Sequence, residues 1–345
     1  MDNIEKFLSN DGLLRADLKF VSDNTDIDQL LACFSGMGNE VDESEVAAEN
    51  GGMEELVVVD VNGNVIESEG DPFMVPKGID FTLHTQIESA LALGNRINNV
   101  GGEVTIKDGV AVVRELGFTS DAAKMQLTAM YKSPRKNHLF VGLDFHLLDI
   151  EIDKLIQMIP KVDSVVPMLK SFAGKAQFHL AAETNLNSKY ELKKSTLLGA
   201  AAIEGKDLVV LDSETFDKIA KMMLFSKKSK NVIDSLCVDL TVFEQEVDIY
   251  PFVVSMDNYK LILSGRHNLD MSFDYHLDAV SPVRIGLDVK GRLGDLHFGI
   301  TPTRYKNLFI PERRNDVQQR TAHFMDLINS SLKSTVVEQP DLPVK

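Results

Sequence analysis

The stretch Leu269-Asp270-Met271-Ser272-Phe273-Asp274-Tyr275-His276-Leu277-Asp278 alternates an apolar with a polar side chain at every step. Successive side chains of a strand point to opposite faces, so this spacing predicts a strand. Its oily face carries Leu269, Met271, Phe273, Tyr275 and Leu277, and its wet face carries Asp270, Ser272, Asp274, His276 and Asp278. The same period recurs in Leu236/Val238/Leu240/Val242, Tyr259/Leu261/Leu263, Leu139 to Leu147, Ile285/Leu287/Val289 and Leu296/Phe298/Ile300. Short breaks such as Lys107-Asp108-Gly109 and Gly265-Arg266-His267-Asn268 separate these runs and are read as hairpin turns. The fold class expected is mainly β: a long antiparallel meander forming a curved sheet, groove or open sandwich.

Helical spacing is confined to a few short amphipathic segments. Ile152, Leu155, Ile156, Ile159, Val162, Val165, Val166 and Leu169 keep it, with Pro160 and Pro167 expected to split the segment into two pieces. A second helix is expected to start at the Asp212/Ser213 cap and end near Lys227 and Lys228, and a third to run from Asn315 to about Leu332.

The chain also repeats itself. Leu18-Lys19-Phe20, followed by Asp26 to Leu31, returns as Leu143-Asp144-Phe145, followed by Glu151 to Ile156. Ile79 to Leu83, with Gly102 and Ile106, returns as Ala176 to Leu180, with Gly199 and Ile203. The offset falls between the two matches, which places extra material in the first copy between Phe34 and Pro76. The expected organisation is a strand–helix start at 1–38, an acidic, partly disordered insertion at 39–72 and a first β-repeat at 73–138. A second repeat and C-terminal β region follow at 139–310, then a helix at 311–333 and a tail at 334–345. Val57 to Val61 offers a short edge strand within the insertion.

Net charge is −16, and residues 1–78 hold 18 acidic against 4 basic side chains, so the remainder is nearly neutral. Without a basic stripe, nucleic-acid binding is disfavoured. Aliphatic runs are about the length of Leu56 to Val59, far below the about 20 residues of a spanning helix, so no transmembrane segment is expected. Met1 is followed by Asp2, Asn3 and Glu5, which is no secretory leader and reads as a cut or shortened end. Cys33 and Cys237 are expected to be unpaired core-filling thiols.

No catalytic signature emerges, and neither catalytic residues, a metal nor a cofactor is assigned. Gly36-Met37-Gly38 lacks the third glycine of a dinucleotide loop, and Gly199 to Lys206 has the wrong spacing for a phosphate loop. Asp23, Asp26 and Asp28 fit helix capping better than half a calcium loop. Asp270 and Asp274 are read as a solvated strand face, and Arg313 and Arg314 as surface cations. The eight histidines contain no pair at helical ligand spacing. His146, His179 and His276 are the set that strand pairing is able to bring together, but alternation alone makes each solvent-facing. The main functional clue is the apolar face itself, which either closes into a sandwich core or stays open for something greasy.

Tyr259 to Tyr275, Gly291 to Phe298 and Tyr305-Lys306-Asn307-Leu308-Phe309-Ile310-Pro311-Glu312-Arg313-Arg314, with Val75 to Leu83 and Val104 to Val110 upstream, resemble the C-terminal region of AsmA-like proteins of Gram-negative envelopes. The resemblance spans about residues 14 to 333 and implies a repeated β-groove related to bridge-like lipid-transfer proteins. It further implies a periplasmic, non-enzymatic module in outer-membrane assembly or phospholipid transport, with acyl lipid or envelope proteins as partners and relatives anchored in the inner membrane. Leu236, Val238, Leu240, Val242, Leu269, Met271, Phe273, Tyr275 and Leu277 are the groove candidates. The alternative is a closed sandwich serving as a structural or interaction module.

Overall fold

The computed structural model describes residues 14–29, 72–92, 94–158, 172–210, 218, 221–222, 231–256, 259–270, 272–281, 284–292, 295–303 and 314–333. Within them lie fourteen strands in one sheet whose spatial order is the chain order. They are β1 Leu14–Asp26, β2 Ile79–Ala92, β3 Asn95–Lys107, β4 Val110–Thr119, β5 Lys124–Arg135, β6 His138–Glu151 and β7 Phe172–Leu186, continued by β8 Leu198–Val210, β9 Asn231–Phe243, β10 Glu246–Met256, β11 Tyr259–Asn268, β12 Ser272–Ser281, β13 Ile285–Arg292 and β14 Asp295–Thr301. The sheet is curved and does not close into a barrel. Among the described residues the longer helices that accompany it are α1 at Ile152–Met158 and α2 at Val317–Lys333.

Every neighbouring pair from β2 to β14 is antiparallel, most of them joined by short turns and β6–β7 and β8–β9 by connections of 20 residues. The first pair differs: β1 runs parallel to β2, with Leu18 beside Leu83. A parallel neighbour requires the chain to travel back along the strand before re-entering the sheet, and residues 27–78 supply that length. The repeat is written into the hydrogen-bond register. Phe81 faces Ile106 and Thr85 faces Gly102 in the first copy; Phe178 faces Ile203 and Ala182 faces Gly199 in the second.

The ladder is interrupted at a few places where one strand carries an extra residue. Glu115, Asp149 and Asp207 adopt positive φ beside such shifts. Bulges of this kind bend a strand and increase twist, which curves a long sheet.

One turn expectation changes. Gly265 to Asn268 lies inside β11, and the reversal falls at Leu269 and Asp270. Gly265 is there because the Tyr275 ring of the next strand lies flat on it; a Cβ would overlap that ring. The alternating strand accordingly begins at Ser272 rather than Leu269. Asp26 caps the turn after β1, its Oδ1 accepting the Gln29 N–H at 2.9 Å. The C-terminal helix forms as the spacing predicts, with Asp316 Oδ1 accepting from the Gln318 and Gln319 N–H groups at its start. The insertion, Cys33, the Val57 to Val61 strand, the tail, Arg313 and most of the expected 212–228 helix lie outside the described residues.

α2 crosses one face of the sheet from β9 to β4. Asn315 meets Thr241 on β9, Val317 packs on Ala181 and Ala200, Phe324 seats on Gly142, and Arg114 on β4 reaches Asn329. Seventeen residues at 1.5 Å each give about 25 Å, the width of six strands about 4.8 Å apart. The helix therefore seals the middle of that face.

Candidate functional site

The face away from α2 is apolar across the whole sheet. Cross-strand partners share a face, and one transverse row can be followed without a break. It runs from Leu18 through Leu83, Val104, Val113, Ala129 and Leu143. It continues through Ala182, Gly199, Val242, Val247, His267, Phe273 and Gly291 to Leu296. No carboxylate, ammonium or guanidinium enters it. A second row parallels it, from Leu116 by way of Leu127, Phe145, Leu180, Ala201 and Leu240 to Tyr275, Val289 and Phe298.

Its two rims differ. Along one rim α1 folds over the sheet, and Ile152 and Leu155 join Ala122, Leu208, Ile233, Val254, Leu261, Leu277 and Leu287 in a buried cluster. Away from it Val141, Leu143, Phe145, Leu180, Ile203, Leu240 and Val242 are only half-buried and belong to none of the buried clusters. All described strands lie in the one sheet, so no second sheet among the described residues packs on this face. At the far rim His267, Phe273 and Tyr275 form an aromatic group with ring centroids 5.7 to 6.3 Å apart. His267 Nδ1 lies 2.9 Å from the Tyr275 hydroxyl. Burial lowers the His267 pKa and raises that of Tyr275, each away from its charged form.

The groove candidates distribute as follows. Leu236, Val238, Leu240 and Val242 lie on the apolar face of β9, and Phe273, Tyr275 and Leu277 on the same face of β12. Val238 and Leu277 are buried at the closed rim, whereas Leu240, Val242, Phe273 and Tyr275 are half-buried. Leu269 is in the turn at 39% exposure, and Met271 lies outside the described residues. The open stretch at β6 to β8, with Leu143, Phe145, Leu180 and Ile203, was not singled out from sequence. Its signal was present in the Leu139 to Leu147 alternation.

The face under α2 is chemically different. Thr128, Asp144, Thr241, Asp248, Ser264, His276 and Asp278 are buried there. Arg266 Nε donates to Asp248 Oδ1 at 2.7 Å, which raises the guanidinium pKa against the burial that would lower it. Tyr250 donates to Thr241, and Arg314 stacks over the Tyr250 ring at 4.6 Å. Asp274 and Asp270, read from sequence as a solvated pair, are ion-paired to Lys290 and Arg292.

Three sequence readings are corrected on this face. His276 is 2% exposed rather than solvent-facing, its Nδ1 2.6 Å from Asp288 and its Nε2 3.1 Å from Asp278. The three histidines do not meet: His146 and His179 are cross-strand neighbours whose rings stack at 3.6 Å, and His276 sits six strands from β6. Cys237 is exposed rather than core filling, since it alternates with Leu236 and Val238 and so points to the polar side. Partial desolvation, with Asp239 and Glu204 nearby, pushes its thiol up, opposite to what a nucleophilic cysteine requires.

No helix among the described residues is long and apolar enough to cross a membrane. The chain matches no protein-family model, no curated protein and no solved structure.

Proposed function

We propose that this chain is a lipid-holding module of the AsmA-like kind, acting in envelope assembly or phospholipid transport, with acyl chains lying on the apolar face of the sheet. The observation that supports this reading is the uncharged transverse row from Leu18 to Leu296, half-open between β6 and β9. A contiguous apolar surface that a protein does not cover with its own chain marks a surface for a ligand or partner. Extended acyl chains suit it because they need apolar contact along a line and no hydrogen bonds. Headgroups would remain at the rim, where water reaches them.

The test is capture of lipid by side chains on the open face. A photo-crosslinking residue replaces Phe273 or Leu240, the protein is incubated with vesicles of phosphatidylethanolamine and phosphatidylglycerol carrying a fluorescent acyl chain, and labelled protein is counted after irradiation. Both positions are expected to label, and a crosslinker at Lys290, on the opposite face, is not. Absence of labelling at Phe273 and Leu240 in protein with an intact circular dichroism spectrum rejects lipid and leaves an interaction module.

A further inference from the structure

We infer that Asp144, His146 and His179 form a binding site for a divalent transition-metal ion, zinc by its chemistry, which fastens α2 to the sheet. Asp144 and His146 are two apart on β6 and therefore share a face, and His179 on β7 is the direct cross-strand partner of His146. One ligand atom from each lies within 4.8 Å of the others. His179 Nε2 is 2.7 Å from Asp144 Oδ1, and His146 Nε2 is 3.4 Å from Asp144 Oδ2. The carboxylate is 7% exposed, and the two rings are 28% and 17% exposed.

Two imidazole nitrogens and one carboxylate oxygen are the donors of three-ligand zinc centres, and the same set on one side of an ion serves other first-row metals. An ion about 2.0 Å from each ligand in tetrahedral geometry holds those atoms about 3.3 Å apart. The His146 contact to Oδ2, 3.4 Å, is near that value, and the His179 contact, 2.7 Å to the other oxygen Oδ1, needs to open by about half an ångström as the carboxylate turns one oxygen to the ion. Any proton on the coordinating Nε2 atoms leaves to solvent when the ion enters.

Thr321 from α2 closes the site. Its hydroxyl is 2.9 Å from Asp144 Oδ1 and 3.1 Å from His179 Nε2, so it is placed to orient the carboxylate or a water in the fourth position. The ion would thus join β6, β7 and α2 at the midpoint of the helix's track over the sheet. The buried His276 shows by contrast why this cluster suits a metal. His276 has Asp288 at one ring nitrogen and Asp278 at the other, so its carboxylates diverge and one ion cannot engage the ring and both acids.

The full chain is treated with EDTA, given zinc sulfate, desalted, and analysed for bound metal and thermal unfolding. About one zinc per chain should remain, and with free zinc at a hundredfold the dissociation constant the melting temperature should rise by about 5 °C. Cobalt(II) should give a visible absorption band that zinc displaces, a reading that needs no variant. His146→Ala and His179→Ala should lose the metal and the shift while keeping the metal-free circular dichroism spectrum, and His276→Gln should retain both. Metal-free protein after desalting, or zinc that survives in the His146→Ala/His179→Ala double variant because it sits on the acidic residues between 39 and 72, overturns the site.

Discussion

The two faces of the sheet divide the work opposite to the usual pattern. The face that carries α2 buries Asp144 and Thr241 at the helix and Asp248 and His276 beyond it, whereas on the other face Leu143, Phe145, Leu180 and Leu240 are half-open although they are apolar. Buried polar groups are stable when hydrogen-bonded, and the buried oxygens of the α2 side are paired: Asp144 with His179 and Thr321, Asp248 with Arg266, Thr241 with Tyr250, while Arg114 Nε and Arg266 Nη2 are left without a hydrogen bond. The bonds that reach the helix, Thr321 to Asp144, Arg320 to Glu183 and Thr241 to Asn315, specify where it sits. The apolar side has no such device, and apolar contact is indifferent to register. A surface for variable chains of hydrocarbon needs that indifference.

The largest expected effect breaks the comparison directly. Phe324 is 3% exposed and seated on Gly142. Phe324→Asp should cost at least about 3 kcal/mol, because a large buried ring is lost and a carboxylate is placed where nothing pairs it. The same aspartate at Leu180 should cost only about 1 kcal/mol, since that side chain is half in water already. Urea unfolding of the two variants measures the difference. Equal losses would mean that the apolar face is a closed core, and the lipid reading would fall with it.

Much of this was legible in the sequence because a period of two survives any amount of bending. The runs at Leu139 to Leu147 and Leu236 to Val242 fix which residues share the oily face, and the Phe81/Phe178 repeat anticipates a shared register. What periodicity cannot carry is the identity of the neighbour. His276 reads as a wet-face residue because nothing local announces Asp288, and Gly265 reads as a turn because nothing local announces the Tyr275 ring above it. The site at Asp144, His146 and His179 was visible only as spacing on two separate strands. Thr321, which arrives 142 positions after His179, was invisible. The parallel β1 and β2 pair likewise depends on the path of residues 27–78, which the strand pattern does not encode.

A smaller effect sharpens the comparison from the apolar side. Gly265→Ala places a methyl group in the volume of the Tyr275 ring, so the ring must rotate off β11 and carry Phe273 and His267 with it. The expected cost is about 1 to 3 kcal/mol, typical of overpacking. The tyrosine signal in near-ultraviolet circular dichroism should weaken while the far-ultraviolet spectrum holds. An unchanged tyrosine signal would show that the aromatic rim is not packed on the glycine. Lipid labelling at Leu240, two strands away, should persist in the same variant.

The smallest expected effect is a change of slope. His267 is the single titratable side chain in the row from Leu18 to Leu296, and burial holds its folded pKa below the ordinary value of 6.5. The unfolded chain takes up that proton at a pH where the folded ring is still neutral and Nδ1 is free to accept the Tyr275 hydroxyl. With the unfolded state binding more protons, stability rises with pH in the window just below 6.5 and is lost as the pH falls through it. One histidine contributes at most about 1.4 kcal/mol per pH unit, and this half-buried ring contributes less. Urea midpoints of wild type and His267→Gln at several values from pH 5 to 7 isolate the difference, since the other histidines are common to both. The variant should show the shallower loss toward acid. Parallel curves would mean that water already reaches the ring, and the far rim of the apolar face would then be as wet as the turn at Leu269 beside it.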